Sequence, residues 1–196
     1  MATSPDYCEP VVAWRVWHVV EEEGLPYLSS VYHQSLWPHR RALQADCRRT
    51  RIPLLSFRRP MHHAPAERCR CGIHAGFADG ARDHLPNILL RPSAHPVIGR
   101  VSLWGDVVEC ERGWRASRAY PEQLYVPRLT PDDTACDAIA RALAAYYGVP
   151  TEVLGEAAAS DAVEEIMSAV DERAVRLGCT APGAPAIPAT RPLWFD

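Results

Sequence analysis

The sequence contains no lysine, so all 21 of its basic residues are arginines. A GC-rich genome favours arginine codons, and this choice of residue alone therefore does not indicate phosphate recognition. The distribution is more informative, because nine arginines lie between Arg40 and Arg70 and only Asp46 and Glu67 oppose them. The segment 132–172 is the reverse, with ten carboxylates against one arginine. The chain is thus basic in one part and acidic in another, with a net charge of −3.

Long apolar runs are also missing. No window of about 18 uncharged apolar residues is present, and the first residues lack the basic start and apolar stretch of a signal peptide. We therefore expect a cytoplasmic protein with no membrane partner. The seven cysteines are odd in number and irregularly spaced. In a reducing compartment, cysteines that cluster are expected to bind metal rather than to form disulfides.

Several enzyme signatures are absent as well. The sequence has no phosphate-binding Walker loop, no nucleophile elbow, no HExxH helix and no dinucleotide-binding fingerprint. These absences remove the reactions that those motifs carry, and no residue is predicted to be catalytic.

Two segments of the sequence are typical of β-hairpins. Residues 11–20 are rich in β-branched and aromatic side chains, a charged turn follows, and residues 25–32 are the expected partner strand. Residues 97–110 and 113–121 form the second predicted hairpin, with a turn at Glu111 to Gly113. Gly105 predicts a bulge in its first strand.

The C-terminal third is predicted to be helical. One helix begins after Pro131 and ends at Gly148, and a second is capped by Ser160 and ends at Gly178. We therefore divide the chain into a β-rich, zinc-stabilised domain (1–130), a helical region (131–178) and a Pro/Ala-rich tail (179–196). The predicted fold class is α+β, with a small antiparallel, barrel-like domain that has a zinc-binding loop, followed by two helices.

Cys47, His63, Cys69 and Cys71 are predicted to bind one structural zinc ion. Three thiolates and one imidazole are a common closed donor set for tetrahedral zinc. In the pair Cys69 and Cys71 both sulfurs can face one ion, and the glycine that follows allows the backbone to turn. Arg68 and Arg70 are expected to help keep the thiols ionised. His62 and His74 stay open as alternatives to His63. A redox pair, an iron cluster or two ordinary loop thiols are the other interpretations of Cys69 and Cys71.

At these residues the chain resembles a group of small, largely uncharacterised proteins of high-GC, actinobacterial-type bacteria. The resemblance covers about residues 12 to 126. It is carried by an early Trp-Arg-Val strand, by His63-Ala64-Pro65 followed by Cys69-Arg70-Cys71-Gly72-Ile73, and by a Gly-Arg-Val strand that leads to Gly113-Trp114-Arg115-Ala116 and Tyr120-Pro121. It implies that the cysteine loop and the hairpin belong to one domain, and it implies no activity.

Three functions are compatible with these features. The first is a non-catalytic binding or regulatory module that acts as a protein–protein adaptor, using the acidic helical region and the apolar tail. The alternative is a nucleic-acid-binding barrel of the PUA or SH3-like kind, in which tryptophans stack bases and the arginine-rich stretch neutralises phosphates. The β-rich region has many tryptophans for its length: Trp14, Trp17, Trp37, Trp104 and Trp114. A zinc- or thiol-dependent enzyme is the third, and the oligomeric state stays open.

Overall fold

The computed structural model describes residues 9–47, 62–77, 95–128 and 134–156, together with Glu164 and Ser168. Within these ranges the protein forms one seven-stranded, mostly antiparallel sheet and one helix. The strands are β1 (Val11–Glu22), β2 (Leu25–Ser30), β3 (Leu43–Gln44), β4 (Ile73–Gly76), β5 (His95–Cys110), β6 (Gly113–Arg128) and β7 (Thr151–Glu156), and the helix is α1 (Ala135–Tyr147). This arrangement confirms the α+β class.

Both predicted hairpins are present. Strands β1 and β2 pair around a turn at Glu23 and Gly24, and β5 and β6 pair around a turn at Glu111 and Arg112. The predicted bulge is present too, because the register of the second hairpin shifts between Trp104 and Val107 and Gly105 has a φ of +76°. A side chain is strained in that backbone conformation, which explains the glycine.

The strand pairings close a ring. Strand β1 pairs with β5, β5 with β6, β6 with β4, and β4 again with β1. Strand β6 organises the sheet, since β5 lies along one of its edges while β4, β3 and β7 follow one another along the other. The segments that follow β3 and precede β4 therefore come together beside β6.

The core lies inside this ring and under α1. Trp17 and Trp37 are fully buried and contact each other edge to face, with ring centroids 5.3 Å apart. Helix α1 contributes its buried side chains to the same core, and these are Cys136, Ala140, Leu143 and Tyr147. Two of the five tryptophans are therefore core residues, the commoner role for an aromatic side chain in a strand.

The region predicted to be helical contributes both a helix and a strand. Helix α1 ends at Gly148, which has the left-handed conformation typical of a C-cap. Strand β7 was not predicted, and it pairs in parallel with the end of β6. Of the second predicted helix only Glu164 and Ser168 are described, and both are helical. The tail 179–196 lies outside the described residues.

In the described part of the chain, no helix has the length and apolar character needed to cross a membrane.

Candidate metal centre

Four side chains from three parts of the chain form one cluster: Cys47, His62, Cys69 and Cys71. One ligand atom from each lies within 4.8 Å of the other three. The Sγ atoms of Cys47 and Cys69 are 3.8 Å apart, and Nε2 of His62 is 3.3 Å from Sγ of Cys71. With zinc–sulfur bonds of about 2.3 Å, two thiolates of a tetrahedral site lie about 3.8 Å apart, and a nitrogen lies slightly closer to a sulfur. These two distances are therefore those expected between neighbouring donors of a tetrahedral metal site.

Strand β6 brings the cysteines together. After β3 the chain continues beside β6, where the amide of Ala45 donates to the carbonyl oxygen of Ser117 at 2.8 Å. It then reaches Cys47, which is buried. On the same edge of β6, the strand β4 begins at Ile73 and pairs with Ala116. The thiols that precede β4 thus lie beside the thiol that follows β3, although Cys47 and Cys69 are 22 positions apart in the sequence.

A tight turn places Cys69 and Cys71 on the same side. The amide of Cys69 donates to the carbonyl oxygen of Ala66 at 3.0 Å. Gly72 follows with a φ of +122°, and a Cβ atom there would lie 3.0 Å from Cβ of Pro65 and 3.1 Å from Cβ of Arg115. Only glycine fits this backbone without strain, so the predicted role of the glycine after the second cysteine is explained by conformation and by space.

The histidine of the cluster is His62 and not the predicted His63. The side chain of His63 is exposed, whereas that of His62 is partly buried and contacts Cys71. Neighbouring side chains of a non-helical segment tend to point to opposite sides, so a chain that directs His62 toward the thiols directs His63 away. The sequence preference for His63 relied on the rigid Ala64–Pro65 that follows it, and this feature serves either histidine equally.

His74, the other alternative, is not in the cluster. It lies on β4, where its Nε2 donates to the carbonyl oxygen of Arg70 at 3.0 Å. Burial lowers the pKa of His74 to about 4, so the imidazole is neutral at physiological pH. Its ring therefore braces the turn that carries Cys71 and does not supply a ligand.

Arg115 is the arginine that donates to the backbone of the cysteine loop, and sequence reasoning missed it. The side chains of Arg68 and Arg70 are exposed. Arg115 on β6 is buried instead, and its Nη1 donates to the carbonyl oxygens of Ala66 at 3.3 Å, of Cys71 at 3.1 Å and of Cys69. Its Nε donates to Sγ of Cys110 at 3.1 Å. One guanidinium thus holds the loop by the backbone of two ligand residues.

A second arginine holds the other end of this segment. Arg15 on β1 donates from Nη1 to the carbonyl oxygen of His74 and from Nη2 to Oγ of Ser30 at 3.0 Å. Its guanidinium lies 5.1 Å from the ring centroid of Trp37, and burial lowers its pKa to about 10. One signal in the sequence was available, because Arg15 is two residues from both Ala13 and Trp17, which are core residues, and side chains two positions apart in a strand lie on the same face.

The thiols influence each other strongly. Burial acts to raise the pKa of Cys69, but hydrogen bonds with Cys71, Cys47 and His62 lower it to about 7. Burial raises the pKa of Cys71 to about 11, and negative charge on Cys69 and Cys47 acts in the same direction. Adjacent thiolates repel one another, and a bound cation removes this repulsion. The cluster is therefore a site where a metal ion would stabilise three ionised thiols.

The other described cysteines do not join the cluster. Cys110 contacts Arg115, and the thiol of Cys136 lies in the core, where it donates to the carbonyl oxygen of Pro127 at 3.5 Å. None of the five cysteines of the described ranges forms a disulfide. Cys8 and Cys179 lie outside the described residues.

No family model, curated protein or solved structure matches this chain. The residues of the cluster and their surroundings are therefore the basis for assigning a function.

Proposed function

We propose that the protein is a non-catalytic binding or regulatory module whose fold is held by one structural zinc ion, and that it acts as a protein–protein adaptor. The observation that carries this proposal is a set of four soft or borderline donors whose ligand atoms all lie within 4.8 Å of one another, Cys47, His62, Cys69 and Cys71. Cys47 lies just after β3, and the other three donors lie before β4. A bound ion would therefore fasten the two ends of the connection between these strands to each other.

The donor set argues against catalysis by the metal. Zinc enzymes usually supply three protein ligands and keep the fourth position for water or substrate. Four protein ligands fill the tetrahedron here, and three thiolates reduce the Lewis acidity of the ion. The same donors would also occupy the thiols that a cysteine enzyme needs free.

A protein partner fits the exposed apolar residues. Tyr32 and Leu36 are 47% and 38% exposed and lie on the loop that follows β2, and Val12 on β1 is 37% exposed. Large apolar side chains at the surface are common components of protein interfaces. Zinc would support such a role by stiffening the sheet that presents them.

A nucleic-acid partner is the second candidate, favoured by one feature of the sheet surface. Trp14 lies directly across from Arg100, and Trp104 lies directly across from Arg118. All four side chains are at least partly exposed. Aromatic rings beside guanidinium groups can stack bases and neutralise phosphates. The closed ring of strand pairings supports the barrel-like part of this alternative.

Metal analysis tests the zinc site. Protein purified anaerobically is assayed for zinc by mass spectrometry and normalised to chain concentration. We expect about one zinc per chain, and we expect a strong chelator to remove it with a fall in melting temperature. Metal-free protein with the same melting temperature and freely titratable thiols would refute the structural role.

Heparin chromatography separates the two partner classes. An adaptor for proteins should elute at low salt, because polyanion binding depends on exposed cations and is lost as salt rises. If the wild type elutes at high salt, and Trp104→Ala or Arg118→Gln lowers the salt concentration at which it elutes, the result would favour nucleic acid and contradict the adaptor proposal. Arg141→Gln on α1 is the matched control, since this exposed arginine belongs to neither of the two Trp–Arg pairs.

A further inference from the structure

Arg115 is a buried cation with an unusual set of partners. The residue is only 7% exposed, and its guanidinium donates to three backbone carbonyl oxygens and one thiol sulfur. Within the described ranges no carboxylate forms a salt bridge with it. A guanidinium cannot lose its proton under these conditions, so its charge is present inside the protein.

A buried charge is costly unless an opposite charge lies near it. Carbonyl dipoles orient the guanidinium, but they do not neutralise it. Two of the three carbonyls belong to Cys69 and Cys71, which places the guanidinium directly behind two residues of the metal cluster. Ionised thiols of the cluster would therefore place negative charge close to the guanidinium, and no salt bridge of the described residues does so.

The charge of the centre follows from its donors. Three thiolates and a neutral imidazole carry three negative charges, so a divalent ion leaves a net charge of −1. We propose that Arg115 is the counter-ion of this anionic metal centre and raises its affinity for divalent zinc. The inference rests on the proposed zinc site and adds a residue to it that is not a ligand.

The assignment also restricts the metal. A trivalent ion on the same donors would give a neutral centre, and the buried guanidinium would have no opposite charge. A divalent ion with a preference for sulfur and nitrogen, such as zinc, gives the complementary charge. Arg115 therefore acts through the ligands, as a positioning and charge-compensating residue.

The inference is tested by the zinc affinities of three variants of the full chain. Each affinity is measured by competition with a chromogenic chelator. Arg115→Gln removes the charge, Arg115→Lys keeps it but loses the forked geometry, and Arg141→Gln, at an exposed arginine on α1, is the control. Residues that support metal ligands from outside typically change affinity by about 10- to 100-fold. We expect a loss of at least about tenfold for Arg115→Gln, and we expect Arg115→Lys to stay within about threefold of the wild type.

The outcomes are distinguishable from failure of the zinc site itself. Wild-type protein that binds no zinc would overturn both proposals, whereas zinc binding that Arg115→Gln leaves unchanged would overturn this one alone. An equal loss in the lysine and glutamine variants would assign Arg115 a purely geometric role and would also overturn it. If Arg115→Gln does not fold, Arg115→Lys is the deciding variant. A loss of zinc affinity above about tenfold in this variant, which retains the charge, would contradict the counter-ion role. The absorption spectrum of the cobalt-substituted lysine variant should match that of the wild type, since the four ligands are the same.

Discussion

The Sγ atoms of Cys47 and Cys69 lie 3.8 Å apart, although the two residues are 22 positions apart in sequence. Strand β6 produces this proximity, because β3 and β4 pair with consecutive stretches of one of its edges. Cys47 is buried, with 3% of its surface exposed. The site therefore joins two segments that the sheet alone holds only through short strands.

Substitution of Cys47 should remove both metal and stability. We expect Cys47→Ser to lose most of its zinc and to unfold at a lower temperature, because hydroxyl is a poor zinc ligand and loss of the ion removes folding free energy. Zinc content and thermal unfolding measure these effects. Cys110→Ser is the control, since this thiol is outside the cluster, and it should retain about one zinc per chain. Equal zinc content in the two variants would contradict the site.

The adjacent histidines provide a second, closely matched comparison. His62→Ala should weaken zinc binding by about tenfold or more, because it opens the fourth position. His63→Ala should have little effect, since that side chain is exposed. Competition with a chelator measures both affinities. If His63→Ala caused the larger loss, the chain path described for this segment would be wrong.

The sequence alone was sufficient to predict part of the metal site. Cys69 and Cys71 are two residues apart and are followed by Gly72, so local geometry alone predicted that both thiols could face one ion. The choice between His62 and His63 depends on the direction from which the chain approaches the thiols. That direction is set by packing against β6, which no local pattern contains.

The same distinction applies to Arg115 and β7. The hairpins were predicted because their residues alternate and their turns are recognisable. Strand β7 is short and pairs in parallel with β6, on the other side of helix α1 in the sequence. Its formation therefore depends on tertiary contacts. Arg115 stands in an ordinary strand pattern, and only the three-dimensional position of the cysteine loop gives it its role.

Gly72 is expected to tolerate no side chain. Gly72→Ala combines a φ of +122° with Cβ contacts of 3.0 and 3.1 Å, and such strain costs about 1 to 3 kcal/mol. Zinc affinity should fall with the free energy of unfolding, since the turn carries Cys71. Chemical denaturation with zinc present measures the stability. Gly155→Ala is the control, because a Cβ there would meet nothing within 4 Å and its φ is not left-handed. Unchanged stability for Gly72→Ala would contradict the described turn.

His74 should make stability depend on pH. Its pKa falls from 6.5 to about 4 on folding, mainly through burial. The unfolded chain therefore binds the proton more readily, and the free energy of unfolding decreases as pH falls from about 6.5 toward about 4.

His74→Gln should lose less stability than the wild type over that range, because glutamine can still donate to the Arg70 carbonyl but does not titrate. Denaturation at several pH values measures the difference, with zinc content followed in parallel, since acid also releases zinc from both proteins. Parallel pH profiles for the two proteins would exclude His74 as the source.

The last prediction concerns Tyr147, whose hydroxyl connects α1 to the sheet. It accepts a hydrogen bond from the amide of Leu28 at 2.9 Å and donates one to the carbonyl oxygen of Trp37 at 2.9 Å, and both bonds are buried. Tyr147→Phe leaves two buried backbone groups without this partner, which should reduce the free energy of unfolding by about 2 kcal/mol.

Tyr146→Phe is the matched control for this change. The neighbouring tyrosine stacks on His39 with ring centroids 5.1 Å apart, and its hydroxyl has no hydrogen bond within the described ranges. Chemical denaturation should therefore show a small effect for Tyr146→Phe. Zinc content should stay at the wild-type level in both variants, because Tyr147 braces the helix and not the cysteine loop. Loss of zinc in Tyr147→Phe would instead show that docking of α1 and formation of the metal centre are coupled.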